Sequence, residues 1–203
     1  MVEAIRSDDA LELWHRRLSP VTEWLVLSGD LHPDRQQAET QVASWRTAGI
    51  TAVIDVREEW TDEDLVAEIA PELRYWHLGT DDDGARKEDA WFDAGLDAYR
   101  AAIAEPGARL LVHCHMGINR GPSMGYRLML EAGEKPLLAL EAVRRARPIA
   151  ALAYADDALD HFHRTHNTSR RVRERDLRIV ENRMTRNGVA SGSLIRRIRA
   201  ELA

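Results

Sequence analysis

Apolar residues follow two periodicities along this chain. Short, nearly continuous runs rich in Val, Ile and Leu predict buried strands. These runs occupy residues 23–28, 50–56, 73–78 and 109–113. Longer stretches in which apolar residues recur every three or four positions predict helices. They occupy residues 34–48, 61–70, 87–104, 122–131, 137–147 and 151–166. Strands that alternate with helices are typical of an α/β domain, so we expect a central, mostly parallel sheet of about four or five strands flanked by helices.

Acidic and basic residues are unevenly divided. The chain has 203 residues and a net charge of −6, but residues 164–203 contain eleven Arg and only four acidic residues. Apolar residues at helical spacing in this segment predict one or two amphipathic helices that pack on the acidic body or on a partner. We therefore expect a main domain over residues 1–166 and a basic helical extension over residues 167–203. Neither nucleic-acid nor membrane binding is indicated.

Three features of the sequence bear on its location. No apolar run approaches the ~20 residues that span a bilayer. The N-terminal segment lacks the apolar core of a signal peptide. With one cysteine, Cys114, no disulfide forms within the chain, and a reactive thiol needs a reducing compartment. We expect the protein to be cytoplasmic.

One short motif carries the chemistry. Cys114 follows an apolar strand, and Arg120 comes after five further residues, where a helix is predicted to begin. A loop at a helix N-terminus points several backbone N–H groups at one spot, and the helix dipole adds about half a positive charge there. Thiols in such a field have pKa values of about 3.5–7.5, so we expect a thiolate at neutral pH. The planar guanidinium of Arg120 suits two phosphoryl oxygens, and Gly117 lets the loop turn tightly.

The run from His113 to Arg120 resembles the His-Cys-x5-Arg signature loop of the cysteine-dependent protein tyrosine phosphatase superfamily. The order of elements over residues 24–166 resembles the compact dual-specificity phosphatase branch. This resemblance implies that Cys114 attacks phosphorus and that Arg120 grips the phosphoryl group, with His113 in a supporting role and no metal or other cofactor. It implies that the phosphate also contacts the loop at His115, Met116, Gly117, Ile118 and Asn119.

The resemblance also requires an aspartic acid on a separate loop, which protonates the leaving group. Asp81, Asp82 and Asp83 lie between glycines in a turn-type segment. The run from Asp83 through Gly84 and Ala85 resembles the corresponding segment of the regenerating-liver phosphatases. It favours Asp83 as the acid, with Asp82 as the alternate.

Two departures from the family pattern qualify this interpretation. Gly121 stands where the family usually has Ser or Thr, whose hydroxyl helps the thiolate to leave, so we expect slow breakdown of a phosphocysteine. The interior of the loop contains no Lys or Arg, which disfavours multiply phosphorylated lipids. Arg147, near the end of a predicted helix, is interpreted as a surface charge rather than as part of the substrate site.

Three function classes follow from these residues. The first is a phosphatase that acts on phosphotyrosine, and in the dual-specificity branch also on phosphoserine and phosphothreonine, through a phosphocysteine. The second is a phosphate-binding module with little or no turnover, which Gly121 makes plausible. The third is a sulfurtransferase, because the segment 53–57 resembles a strand of the rhodaneses. The expected partner is a phosphorylated protein or a small phosphate ester.

Overall fold

The computed structural model describes residues 15–186. Its strands are β1 (Ser19–Pro20), β2 (Leu25–Ser28), β3 (Ala52–Arg57), β4 (Arg74–Thr80) and β5 (Leu110–His113). Its helices are α1 (Arg35–Thr47), α2 (Glu63–Ile69), α3 (Asp89–Ile103), α4 (Arg120–Glu131), α5 (Pro136–Ala146), α6 (Ala155–Thr165) and α7 (Arg170–Arg186). Each predicted strand and helix is present, with ends that differ by a few residues, and the short strand β1 is an addition.

The strands form one sheet in the order β1-β2-β5-β3-β4. The short β1 pairs antiparallel with β2, and all other pairs are parallel. The prediction of a mostly parallel, five-stranded α/β sheet is therefore confirmed. Because β5 lies between β2 and β3, the loop that follows its carboxyl end emerges at the middle of the sheet edge, where ligands bind in open α/β folds.

Helices cover both faces of the sheet, which explains why β2, β3 and β5 are buried and mostly apolar. In β3, Val53 faces a cluster that includes Val42 and Trp45 of α1 and Val66 of α2. The neighbouring residue Ile54 faces the larger cluster formed with α3 to α6. Successive side chains of a strand point to opposite faces, so helices on both sides require apolar residues at every position.

The first part of the basic extension is the helix α7. It packs on α5 and α6, and its buried Val180 belongs to the main core. Arg173 and Arg183 form ion pairs with Asp160 and Glu141 of the acidic body. The rest of the predicted extension, residues 187–203, lies outside the described residues. Within residues 15–186, no helix combines the length and the apolar character needed to cross a membrane.

Candidate active site

The catalytic loop, residues 113–120, connects β5 to α4 at the middle of the sheet edge. Cys114 is buried, and the backbone N–H groups of Gly117 and Gly121 hydrogen-bond to its sulfur. Gly117 has φ +62°, and a Cβ there would lie 2.5 Å from the carbonyl oxygen of Ser28. Only glycine fits this turn, because its backbone is left-handed and has no room for a side chain.

The electrostatics of Cys114 differ from the expectation of a lowered pKa. Burial raises the pKa of the thiol above its ordinary value, while the charge of Arg120 and the two backbone N–H groups act in the opposite direction. The direction of this shift is opposite to the expected one. The sequence did not show that Arg120 is itself paired with a carboxylate, which weakens its effect on the sulfur.

That carboxylate belongs to Glu59, which follows β3. It accepts hydrogen bonds from both terminal nitrogens of Arg120, at 2.7 and 2.8 Å. The Nε–H of Arg120 is buried and has no hydrogen-bond partner among the described residues. Glu59 and the carbonyl oxygen of Thr80 therefore fix the plane of the guanidinium, and the Nε–H remains as a donor for an incoming oxyanion. Sequence reasoning missed Glu59, for which the only signal was an acidic pair directly after a buried strand.

A pocket of about 350 Å³ opens above the sulfur. The side chains that line it are those of Glu59, Asp81, Asp82, Asp83, Cys114, His115, Met116, Ile118 and Arg120. The cavity thus brings together Cys114, the predicted nucleophile, with the guanidinium of Arg120 and the aspartate run, which are separated in the sequence.

Two of the three aspartates differ sharply in their contacts. Asp82 accepts a 2.7 Å hydrogen bond from the hydroxyl of Tyr154 and longer ones from the amide of Asn119. Its carboxylate lies 3.8 Å from Nε of Arg120. Asp83 instead accepts a hydrogen bond from the ammonium of Lys87, at 3.0 Å, which holds the pKa of Asp83 below its ordinary value. The structure thus brings Asp82, the alternate of the sequence analysis, against the catalytic loop.

His113 and His115 flank the cysteine in different environments. His113 is fully buried, and burial lowers the pKa of its ring, so this histidine is neutral at physiological pH. His115 lines the pocket, and its Nδ1 lies 2.7 Å from the buried carboxylate of Asp30. Arg16 donates to the other oxygen of Asp30 at 3.1 Å. His115 is therefore held in one orientation beside the nucleophile.

Arg147 does not match its interpretation as a surface charge. It is 2% exposed, and its guanidinium donates to the carbonyl oxygens of Met116 and Gly117 in the catalytic loop, at 3.0 and 2.6 Å. Its other donors bind the carbonyl oxygens of His15 and Arg17 and the hydroxyl of Ser19. The prediction failed because helix α5 ends against the loop, a contact that no local pattern encodes.

The charge of Arg147 persists despite its burial. Burial lowers the pKa of Arg147 to about 10, so the side chain remains a cation at neutral pH. Its five N–H groups are all donated to neutral oxygens, which is the condition for burying a guanidinium without a carboxylate. Arg147 turns two loop carbonyls toward itself, which leaves the loop N–H groups directed elsewhere.

Comparison with known proteins identifies the fold. No protein-family model and no curated protein matches the chain in sequence. Among solved structures, it is similar to PTPMT1 in complex with PI(5)P, with a TM-score of 0.60, 15% identity, and coverage of 75% of this chain and 99% of that one. Human DUSP28 matches with a TM-score of 0.58 and 22% identity over 73% of this chain and 95% of its own. Tk-PTP in the active form matches with a TM-score of 0.56 and 18% identity over 75% and 97%. The chain has the fold of the cysteine-dependent and dual-specificity phosphatases.

Proposed function

We propose that this protein is a phosphatase that hydrolyses phosphate monoesters through a phosphocysteine, with phosphotyrosine as its main protein substrate and phosphoserine or phosphothreonine as further ones. The observation that carries this proposal is the convergence of Cys114, Arg120 and Asp82 on one pocket. A nucleophile, an oxyanion clamp and a proton donor are the three groups that displacement at a phosphate ester requires.

In the first step, the thiolate of Cys114 attacks phosphorus and the bond from phosphorus to the ester oxygen breaks. The Nε–H of Arg120 and the N–H groups of the loop hold the phosphoryl oxygens as charge develops on them. Asp82 donates a proton to the departing oxygen, which leaves as an alcohol or phenol.

In the second step, water attacks the phosphorus of the phosphocysteine. Asp82, now a carboxylate, takes a proton from this water, and the sulfur–phosphorus bond breaks to give phosphate and the thiolate of Cys114. Gly121 offers no hydroxyl to the departing thiolate. We therefore expect this second step to limit the rate.

Asp82 is the better proton donor for two reasons. Its carboxylate lies beside the catalytic loop, whereas the side chain of Asp83 is 53% exposed and bound to Lys87. The ammonium of Lys87 favours the ionised form of Asp83 and so disfavours it as a proton donor. We assign Asp83 the role of anchoring its loop.

Replacing the nucleophile tests the proposal most directly. We expect Cys114→Ser to abolish the hydrolysis of aryl phosphates while inorganic phosphate or vanadate still binds, because a serine hydroxyl is not ionised where a thiol can be. Turnover is measured by release of the phenol, and binding by calorimetry on the same sample. If the serine variant retained about a tenth of wild-type turnover, Cys114 would not be the nucleophile.

A second candidate function is a phosphate-binding module with little turnover. It is favoured by the glycine at position 121 and by the raised pKa of the Cys114 thiol.

Rapid mixing with an aryl phosphate separates the two candidate functions. A burst of about one phenol per protein followed by slow release indicates a slow enzyme. Binding of phosphotyrosine without any burst indicates the module. Sulfurtransferase activity with thiosulfate is expected to be absent in both cases.

A further inference from the structure

Four carboxylates line the catalytic pocket, and a fifth, that of Glu58, lies beside one of them. We call this group the acidic mouth, and its members are Glu58, Glu59, Asp81, Asp82 and Asp83. Three of these carboxylates have partners in the protein, namely Arg120 for Glu59, Tyr154 for Asp82 and Lys87 for Asp83. These contacts and the proposed chemistry account for the positions of these three carboxylates.

The other two members of the acidic mouth have no cationic partner. No ion pair within residues 15–186 includes Glu58 or Asp81, and the two carboxyl groups lie beside each other. This contact raises the pKa of Glu58. Two carboxylates beside each other repel, and without a cationic partner among the described residues they create a region of negative potential.

The same pocket holds an unsatisfied donor that points to an anionic ligand. Arg120 is 2% exposed, it lines the pocket, and its Nε–H has no hydrogen-bond partner among the described residues. The ligand of this pocket is therefore an oxyanion, which must enter past the acidic mouth. A bare anion would be repelled by that entrance.

His115 completes the lining of the pocket. Its Nδ1 pairs with the carboxylate of Asp30 and so carries a hydrogen. Apart from Arg120, the polar side chains that line this pocket are the thiol of Cys114, the carboxylates and His115. The part of a substrate that remains at the entrance thus meets acceptors and negative charge.

We propose that the acidic mouth selects phosphate monoesters that carry a positive charge close to the phosphorylated oxygen, with Glu58 and Asp81 as the specificity-determining residues. An ammonium or guanidinium group on the substrate provides the cation that these two side chains lack. The inference rests on the proposed function and names the substrate class of that site. A phosphotyrosine flanked by Lys or Arg and a small phosphorylated aryl amine both have this chemistry.

Binding to the Cys114→Ser variant tests the inference without relying on turnover. Phosphotyrosine peptides that differ only in flanking Lys, Gln or Glu are compared with tyramine phosphate and its carboxylate analogue. We expect the Lys peptide to bind at least about ten-fold more tightly than the Glu peptide at low ionic strength. The ratio should fall as salt rises, because the Debye length is about 10 Å at 0.1 M.

A pair of charge-matched variants locates the effect. In the same background, Glu58→Gln with Asp81→Asn should reduce the ratio between Lys and Glu peptides to about two-fold or less. The control, Asp97→Asn with Glu105→Gln, removes two carboxylates that are 79% and 69% exposed on and after α3, and should keep the full ratio. A ratio that survives in the first variant, or falls equally in the control, overturns the assignment to the mouth.

The remaining outcomes separate this inference from the proposed function. If the peptides bind with a charge preference but the protein that retains Cys114 does not turn them over, charge selection by the acidic mouth is supported and the phosphatase activity is refuted. If all peptides bind with equal affinity and are turned over at equal kcat/KM, the phosphatase activity is supported and charge selection by the acidic mouth is refuted. Failure of every phosphate ester to bind refutes both. A preference among peptides alone identifies a protein segment as the substrate, and the same preference in the tyramine pair identifies a small amine ester.

Discussion

The two loops that form the pocket are held in opposite ways. The catalytic loop is buried, and its carbonyl oxygens are bound from behind, those of Met116 and Gly117 by Arg147 and that of Ile118 by the backbone N–H groups of Ala151 and Leu152. The acid loop, residues 79–87, is largely exposed. It is attached through a few side chains, chiefly Tyr154 and Lys87.

This difference explains which half of the site a sequence can specify. A loop held through its backbone needs a fixed number of residues and a glycine at its tight turn, and this requirement leaves a recognisable spacing. A loop held by side chains tolerates several arrangements, so a run of three aspartates does not reveal which one faces the substrate. The catalytic loop should therefore lose function sharply when altered, and the acid loop in graded steps.

The largest effect is expected at Arg120. We expect Arg120→Lys to reduce kcat/KM for phosphotyrosine by about 10³-fold or more, nearly as much as Arg120→Ala. The three donors of an ammonium sit on one nitrogen and cannot reproduce the planar fork that binds both oxygens of Glu59 and directs Nε–H at the phosphate. Steady-state kinetics of both variants provide the test, and near-normal activity of the lysine variant would show that charge alone suffices.

The next effect is expected at Arg147, which supports the catalytic loop without lining the pocket. Arg147→Met should lower kcat/KM by about 10²–10³-fold, since two loop carbonyls lose their donor and the N–H groups move out of line. It should also destabilise the fold by about 3 kcal/mol, because buried acceptors are left unpaired. The matched control is Arg145→Met at an exposed position on the same helix, with both variants measured by thermal unfolding and kinetics.

If Arg145→Met lost as much activity as Arg147→Met, the loss would reflect the charge of helix α5 and not support of the loop. A fully active and stable Arg147→Met would show that the backbone of the loop holds itself.

The Arg147 case marks the limit of what the sequence could predict. The strands, the helices and the positions of Cys114 and Arg120 follow from apolar periodicity and from a fixed spacing, which are local properties. The roles of Arg147 and Glu59 depend on which elements meet at the sheet edge, and each lies at least 25 residues from its partner. Tertiary contacts of this kind have no local signature, and the burial that raises the pKa of Cys114 is likewise a tertiary property.

Substitutions in the acid loop should cause smaller losses of activity, and these losses should depend on the leaving group. We expect Asp82→Asn to slow the hydrolysis of phosphotyrosine by about 10²-fold, and activated aryl phosphates far less, because their leaving oxygen hardly needs a proton. The matched change Asp83→Asn should cost little with either substrate, since Asp83 contacts Lys87 and not the catalytic loop. The part of the pH profile that reports ionisation of the Cys114 thiol should be unchanged in both variants, because neither change touches the sulfur.

If Asp83→Asn slowed phosphotyrosine hydrolysis and Asp82→Asn did not, Asp83 would be the acid, as the sequence analysis first predicted. If neither variant depended on the leaving group, the proton donor would lie outside the aspartate run.

The smallest effect is expected at Tyr154, which joins the two loops. Its hydroxyl donates to Asp82 and accepts from the backbone N–H of Gly84. Tyr154→Phe should therefore reduce phosphotyrosine hydrolysis by roughly three- to ten-fold, the value of about one neutral hydrogen bond. Activated aryl phosphates should be hydrolysed at close to the wild-type rate.

The control is Tyr126→Phe, which removes a buried hydroxyl that has no partner among the described residues and should leave the hydrolysis of both substrates unaffected. An equal loss on both substrates would mean that Tyr154 only supports the fold, whereas a loss confined to the poor leaving group would show that it positions the acid.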